Sequence, residues 1–298
     1  MTIKQLVKKA TNKENFTDLK GFISFSKEYL SYINNHLQAV IVSQNENHYR
    51  FYQYDKSAHF QITRPINSKL MYDTKEFAKI SKEYVKILKS IKTINKKDPA
   101  IRDILNNATY TIQQSIGAAL DGLPAGKANT ARKLNGDLFE RFIRLIIREI
   151  GIECKSGIVK IPVVVDNKRL FDMSYQHDLI IGEKEDVKVI GSIKTSSKDR
   201  IDKIFVDKFL YNKLTEKETP HIAIFLNDVQ RKNTKQENKY GINATFLPGH
   251  FKGYTVKLNP LDGVYYCDIR PNMITEDILK DHIKTFDNLL IEDIWKFV

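Results

Sequence analysis

The sequence predicts an α/β fold in which helices flank a central mixed sheet, with a mainly helical region at the N-terminus. Two observations support this prediction. Apolar residues recur at helical spacing between positions 73 and 150, and after Gly151 the pattern changes to short runs rich in Val and Ile. We therefore divide the chain into a mainly helical region, residues 1–125, and a second region, residues 126–298, that carries the sheet.

The helices of the first half are marked by their ends. A helical pattern covers Asp18–Leu37, and the next begins at Asp73, which with Glu76 forms a capping-box pattern. Another begins at Asp98-Pro99, a cap residue followed by a first-turn proline, and runs to about Leu120. Between them, AVIVSQ and HYRFYQY are two short strand-like runs separated by a polar turn.

The second half begins with a helix from about Asn129 to Ile150, with Gly151 as its C-terminal stop. The strand-like segments follow, and the two that flank the charged turn EKED are expected to pair as a hairpin. The polar segment DVQRKNTKQENKYG is either a solvated loop or an arm that becomes ordered on DNA, and the final segment returns to a helical pattern. The predicted strands are CKSGIVKIPVVVD, HDLIIG, VKVIGSIKT, HIAIFLN, GYTVKLN and VYYCDIR.

Composition indicates a polyanionic partner. The chain of 298 residues has 48 Lys and Arg against 36 Asp and Glu, a formal net charge of +12, although lysine-rich coding alone could also produce this balance. The two cysteines form neither a disulfide framework nor a metal-ligand spacing, which favours a reducing cytoplasm. No secretory signal or apolar run long enough to span a membrane is visible, so we expect no membrane partner.

Asp178 and Lys194 are the candidate catalytic residues. On paired strands they would lie side by side at one edge of the sheet, and Ser192 would share a face with Lys194 because side chains alternate along a strand. A carboxylate beside a lysine suits phosphodiester hydrolysis. Mg²⁺ prefers carboxylate oxygens, and an ammonium can orient an attacking water or stabilise developing charge.

This pattern resembles the PD-(D/E)XK nucleases, whose signature is an Asp followed by an acidic residue, any residue, and Lys. Here Ser192 stands where the acid is usual. The same departure occurs in the branch of restriction enzymes that cut CCGG and CCNGG-like cores, where a helix downstream supplies the second carboxylate. The resemblance implies that Asp207 is that displaced metal ligand, although a solvated acid on an amphipathic helix is the competing interpretation.

The same branch carries an Arg-Asp-Arg or Arg-Glu-Arg triplet that reads adjacent C:G pairs, and Lys198-Asp199-Arg200 matches two of its three positions. The resemblance implies that these residues recognise DNA. Arg200 can donate two hydrogen bonds to guanine, and Asp199 can accept one from cytosine. Lys198 presents a point charge in place of a planar fork, so it can contact guanine or phosphate.

Glu140 is a third candidate metal ligand. Gly136 precedes it by one turn on the predicted helix, as in the helix glutamate of the family. A glycine inside a helix costs about 1 kcal/mol relative to alanine, which suggests that another group approaches closely there.

The resemblance implies a type II restriction endonuclease with a PD-(D/E)XK fold, which uses Mg²⁺ and cuts double-stranded DNA as a homodimer. It also implies a cognate DNA methyltransferase in the same system. Two alternatives stay open: a repair or junction nuclease of the same fold, and a non-catalytic DNA-binding protein in which the site no longer holds metal.

Overall fold

A computed structural model describes residues 1–55, 62–183, 186–198, 200–236 and 238–298. The helices in these ranges are α1 (Ile3–Thr11), α2 (Leu19–His36), α3 (Thr74–Lys89), α4 (Pro99–Leu120), α5 (Ala128–Glu149), α6 (Ile201–Thr215), α7 (Pro248–Lys257), α8 (Pro271–Thr275), α9 (Leu279–His282) and α10 (Phe286–Ile291). The strands are β1 (Ala39–Val42), β2 (Tyr49–Gln53), β3 (Ile66–Asn67), β4 (Cys154–Val165), β5 (Lys168–Gly182), β6 (Val187–Ser196), β7 (His221–Asn227), β8 (Val229–Asn233), β9 (Tyr240–Ala244), β10 (Gly263–Tyr266) and β11 (Ile283–Thr285).

The predicted helix starts are confirmed by their cap contacts. Asp18 accepts a hydrogen bond from the backbone N–H of Gly21 at 2.8 Å, and Asp73 and Glu76 form both bonds of a capping box. Helix α4 begins with Asp98 as its cap and ends at Leu120, as predicted. These helices are therefore specified locally, by side chains that satisfy the free N–H groups of the first turn.

The central sheet is mixed, as predicted, and has six strands in the order β11-β10-β7-β6-β5-β4. Strands β4, β5 and β6 pair antiparallel, whereas β6, β7, β10 and β11 are parallel. Helices pack on both faces. Two residues of the predicted turn between β5 and β6, 184 and 185, lie outside the described residues.

One apolar core joins the N-terminal helices to the sheet. It includes residues from both sides of the predicted division at residue 125, so the two regions pack directly against each other. Their predicted roles, dimerisation or enclosure of DNA for residues 1–125 and catalysis for 126–298, remain predictions. Representative buried members are Phe22, Tyr84, Ile116, Phe139, Phe142, Leu179, Ile224 and Leu290. On the opposite face of the sheet, α6 and α7 cover a second core that contains Phe205, Phe225, Phe251 and Tyr266.

Two sequence interpretations of the C-terminal third are wrong. Most of the segment GYTVKLN belongs to α7 and is not a strand, because Pro248 starts the helix and Phe251, Tyr254 and Leu258, spaced three and four apart, pack on the second core. The final segment is not a continuous helix. Ile283–Thr285 leaves the helical path and pairs with β10 as the edge strand β11, where the open sheet edge supplies hydrogen-bond partners that a helix would not. No helix of the described residues is long and apolar enough to cross a membrane.

Candidate active site

Asp178 lies in an irregular part of β5. Its neighbour His177 pairs with Gly157 on β4, and Ile180 pairs with Lys155, so two residues of β5 stand opposite one residue of β4. This is the geometry of a β-bulge, which changes the direction in which a side chain points. His177 packs among aromatic rings next to α6, stacked on Tyr175 with ring centroids 5.9 Å apart.

The bulge directs the Asp178 carboxylate to the place where β5 and β6 separate. The described pairing of β5 with β6 ends at Leu179 and Gly191. Beyond this point the Ile193 N–H donates to the Asp178 carboxylate at 2.9 Å, in place of a backbone hydrogen bond between the two strands. Its own carbonyl accepts a hydrogen bond from Arg144 at 2.7 Å. Asp178 is therefore fixed from both sides, which gives its carboxylate a defined orientation.

Lys194 completes the pair that the sequence predicted. Its Nζ donates to the Asp178 carboxylate and also lies 3.2 Å from Oε1 of Glu140, the candidate from α5. The structure thus brings three predicted site residues from three elements, α5, β5 and β6, into one cluster. Parallel pairing with β7 holds the Lys194 backbone opposite Phe225.

Glu140 is positioned by the packing of α5. Its neighbours Leu138, Phe139, Phe142 and Ile143 are buried in the main core, so the helix cannot rotate without exposing them. Burial raises the pKa of the Glu140 carboxyl, and the nearby negative charge of Asp178 raises it further, while Lys194 opposes both effects. Two carboxylates that compete for one ammonium fit a divalent cation, because a bound cation would relieve their mutual repulsion.

Gly136 does not have the role that the sequence suggested. No atom of the described residues lies within 4 Å of the position that a Cβ would occupy there, so no close approach within the chain requires glycine. Gly136 instead lines the large cleft described below. The missing side chain leaves the wall of this cleft open one turn before Glu140.

The other two predicted catalytic residues lie outside this cluster. Asp207 is on α6, as predicted, where its carboxylate forms an ion pair with Lys203. Burial lowers the pKa of His177, a shift that the charge of Asp207 opposes, and burial raises the pKa of Tyr175, a shift to which Asp207 adds. Among the side-chain hydrogen bonds of the described residues, neither Asp207 nor Ser192 contacts Asp178, Glu140 or Lys194. Ser192 lies on β6 opposite Ala223, two residues before the lysine.

A cleft of about 1060 Å³ opens beside Lys194. Its walls carry many more cations than acids: Asp121 is paired with Arg64, and Asp137 with Lys13. Such a concentration of positive charge attracts a polyanion. The cations that line the cleft are Arg64, Lys127, Arg132, Lys133, Lys194, Lys198, Arg200 and Arg231.

Two of the three predicted DNA-recognition residues line this cleft. Arg200 stands at the start of α6, and Lys198 donates a hydrogen bond from Nζ to Oε1 of Gln230 at 3.2 Å. Asp199 lies outside the described residues.

A hairpin that the sequence did not predict forms another wall of the cleft. The segment interpreted as a solvated loop or an arm is the antiparallel pair β8–β9, with Gln230, Arg231 and Asn233 of β8 lining the cleft. Its apolar signal is weak, because only Val229 and Ile242 are buried core residues in a run of polar side chains.

The hairpin is attached to two other parts of the chain. Asn45, after β1, exchanges hydrogen bonds with the backbone of Ile242 at 2.9 Å each. Thr245, just after β9, lies 3.4 Å from the hydroxyls of Ser196 and Ser197 at the end of β6. The Asn45 contacts join residues 197 positions apart in the chain and the Thr245 contacts residues 49 and 48 apart, which is why local pattern alone does not identify the hairpin.

Comparison with known proteins supports the fold. No model of a known protein family matches the chain, and no curated protein matches it. Among solved structures, the chain is similar to the crystal structure of the Type IIP restriction endonuclease Kpn2I, with a TM-score of 0.72, 17% sequence identity, and coverage of 99% of this chain and 97% of that one. The chain therefore has the fold of a type II restriction endonuclease over almost its whole length.

Proposed function

We propose that this protein is a type II restriction endonuclease of the PD-(D/E)XK type, which hydrolyses phosphodiester bonds of double-stranded DNA at a specific sequence and requires Mg²⁺. The observation that carries the proposal is the cluster of Asp178, Glu140 and Lys194 beside a cation-lined cleft. The fold shared with an endonuclease supports the same conclusion, since sites of this chemistry are known on that fold.

In this proposal, Asp178 and Glu140 hold the metal ion. Glu140 takes the place of the acid missing at Ser192, because its carboxylate already shares the Lys194 ammonium with Asp178. Asp207, the displaced ligand expected from the CCGG-cutting branch, would first have to leave Lys203. When bound, Mg²⁺ supplies positive charge that polarises the scissile phosphate.

Lys194 acts on the attacking water and on the phosphate. With the two carboxylates engaged by a cation, its ammonium would be free to donate to a phosphate oxygen or to orient the water, and it would stabilise the negative charge that develops on the phosphate. The water oxygen bonds to phosphorus as the phosphorus–oxygen ester bond of the strand breaks, the water loses a proton to solvent, and the leaving oxygen takes one up. The Ile193 N–H keeps the Asp178 carboxylate in place during this exchange. Ser192 contributes only a minor polar contact.

DNA recognition is assigned to the rim of the cleft. Arg200, Asp199 and Lys198 would reach base edges in the major groove, where an arginine reads guanine by two hydrogen bonds. A two-fold homodimer would place one active site on each strand of a palindromic sequence. A methyltransferase of the same system would protect the host copies of that sequence.

The test uses purified protein, unmethylated phage DNA and Mg²⁺, with sequencing of the fragment ends. We expect discrete fragments whose ends share one short symmetric sequence, and no fragments with Lys194→Ala, which should still shift the same DNA in a gel. Nicking that depends on DNA structure would support a repair or junction nuclease instead. DNA binding without any cutting by the unmodified protein would support the non-catalytic alternative.

A further inference from the structure

A second pocket, of about 430 Å³, lies along the part of α5 that follows Glu140. Three arginines of α5 line it together with Lys155 of β4, and the acid on its wall is Glu14. Four cations against one acid leave the pocket strongly positive. The complete lining is Glu14, Thr17, Arg141, Arg144, Leu145, Arg148, Lys155 and Ser156.

None of these four cations forms an ion pair with a carboxylate among the residues that the structure describes. The arginines instead bind backbone carbonyls: Arg141 that of Lys13 at 2.8 Å, Arg144 that of Asp178 at 2.7 Å, and Arg148 that of Cys154 at 2.6 Å. A carbonyl occupies part of a guanidinium and leaves its charge uncompensated. A neighbouring cation behaves differently: Lys13, whose carbonyl accepts the bond from Arg141, forms an ion pair with Asp137.

The carbonyl contacts also fix where the arginines point. Each guanidinium is anchored before any ligand arrives, so less side-chain entropy is lost on binding than for free surface cations. A partly buried cation without a carboxylate partner is costly, and an anionic ligand would offset that cost.

The pocket adjoins the catalytic cluster. Glu140 and Arg144 are one helical turn apart, about 6 Å along α5, and Arg144 holds the carbonyl of the same Asp178 whose carboxylate contacts Lys194. Arg132, two turns before Glu140, lines the cleft, whereas Arg144 and Arg148, one and two turns after it, line the pocket. A DNA strand that passes Glu140 therefore meets cations before and after it.

We propose that Arg141, Arg144, Arg148 and Lys155 bind a backbone phosphate of the cut DNA strand next to the scissile one. This inference rests on the proposed function. The pocket fixes the position of the strand relative to Lys194 and carries no base information, because phosphate contacts position a duplex whereas base contacts specify its sequence.

The experiment measures DNA binding by fluorescence anisotropy without Mg²⁺, over a range of salt concentrations. One duplex carries the cleavage sequence of the unmodified protein and another carries an unrelated sequence. For Arg148→Gln/Lys155→Ala we expect about tenfold weaker binding to both duplexes and a salt slope shallower by about 1. The sequence at the cut ends stays unchanged.

Two further variants control for folding and for general charge loss. Lys155→Ala alone removes an exposed lysine for which no hydrogen bond or ion pair is described, and it should show a smaller loss in the same direction. Lys160→Ala removes another exposed lysine of β4, outside the pocket, and should leave the slope unchanged. A double variant with the slope of the unmodified protein would overturn the inference.

Competition with inorganic phosphate distinguishes a DNA phosphate from a free anion as the ligand of the pocket. At constant ionic strength it should compete with DNA for the unmodified protein and compete much less for the double variant. Phosphate that binds without displacing DNA would show that the pocket holds a free anion, which contradicts the inference. Because these measurements need no cleavage, they can fail while the proposed nuclease activity stands, and an inactive protein would refute the proposed function separately.

Discussion

Two groups of acids lie close to the central sheet, and their surroundings differ. Asp178 and Glu140 meet Lys194 at the separation of β5 and β6, beside an open cleft. Asp228 and Asp268 come just after the parallel strands β7 and β10 and are almost completely buried. Acids therefore meet at the sheet in both places, so their position relative to the strands does not decide which group can meet a substrate.

The difference lies in what covers the strand ends. Over Asp268, the N-terminal region contributes Tyr49 and Asn67, which donate hydrogen bonds at 2.9 and 2.7 Å. Burial raises the pKa of Asp268 to about 6 and that of Asp228 to about 7, and Arg270 opposes both shifts. The covered acids therefore belong to the contact between the two predicted regions, whereas Asp178, which is also largely buried, belongs to a cluster whose Glu140 and Lys194 side chains are partly exposed beside the cleft.

The largest expected effect concerns Glu140. Glu140→Gln should lower the cleavage rate by about 10²-fold or more, because an amide is a poorer ligand for Mg²⁺. In the unmodified protein the raised pKa of Glu140 means that activity increases with pH above the ordinary range of a glutamate, as the carboxyl loses its proton. Initial rates across pH check both points. An unchanged rate would remove Glu140 from the metal site.

The pH dependence of the free energy of unfolding tests the role of Asp228, one of the two buried acids. The native state keeps a proton on Asp228 up to about pH 7, while the unfolded chain loses it near pH 4, so stability falls as pH rises between these values. Asp228→Asn removes this loss and should raise the free energy of unfolding by about 1–3 kcal/mol at pH 8. Denaturant titrations at pH 5 and pH 8 would show it. Equal destabilisation at both pH values would contradict this account.

Substitution of Arg200, at the rim of the open cleft, tests its proposed contact with a base. Arg200→Ala should weaken binding to the cleavage sequence by about 1–3 kcal/mol and allow other bases at one position, because one bidentate contact is lost. Sequencing of cut ends measures the change. Lys232→Ala, on β8 but outside the cleft lining, is the matched control. A sequence preference that stays intact would assign Arg200 to phosphate contact instead.

The smallest effect is expected for Asp207. Asp207→Asn breaks the pair with Lys203 on the surface of α6, a contact of about 0.3–0.5 kcal/mol, and should change the cleavage rate less than about threefold. A loss as large as that of Glu140→Gln would contradict this prediction and would assign Asp207 the displaced-ligand role expected from the CCGG-cutting branch.

The sequence pattern predicted the helices and strands that short-range interactions specify. The capping residues Asp18, Asp73 and Asp98 and the change of period after Gly151 were sufficient for the helices and for most strands. Asp178 and Lys194 were found because their residue types and spacing match a chemistry. The meeting of Glu140 with both could be proposed only through the resemblance, since it depends on how α5 packs across the sheet.

The remaining features depend on distant contacts. The β8–β9 hairpin is held by Asn45 and Thr245, and the bulge at Asp178 depends on the pairing register with β4. Neither leaves a clear periodic signal. The cations of the α5 pocket look like ordinary solvated residues in the sequence, and only their shared lack of carboxylate partners distinguishes them.

Phe22 of α2 and Phe142 of α5 stack with ring centroids 4.8 Å apart, inside the core that joins the two predicted regions. A truncated protein that begins near α5 would expose Phe142 and its apolar neighbours to water and would be prone to aggregate. Fusion to a foreign DNA-binding domain would therefore have to retain the whole chain, because the half that carries the sheet does not complete its own core.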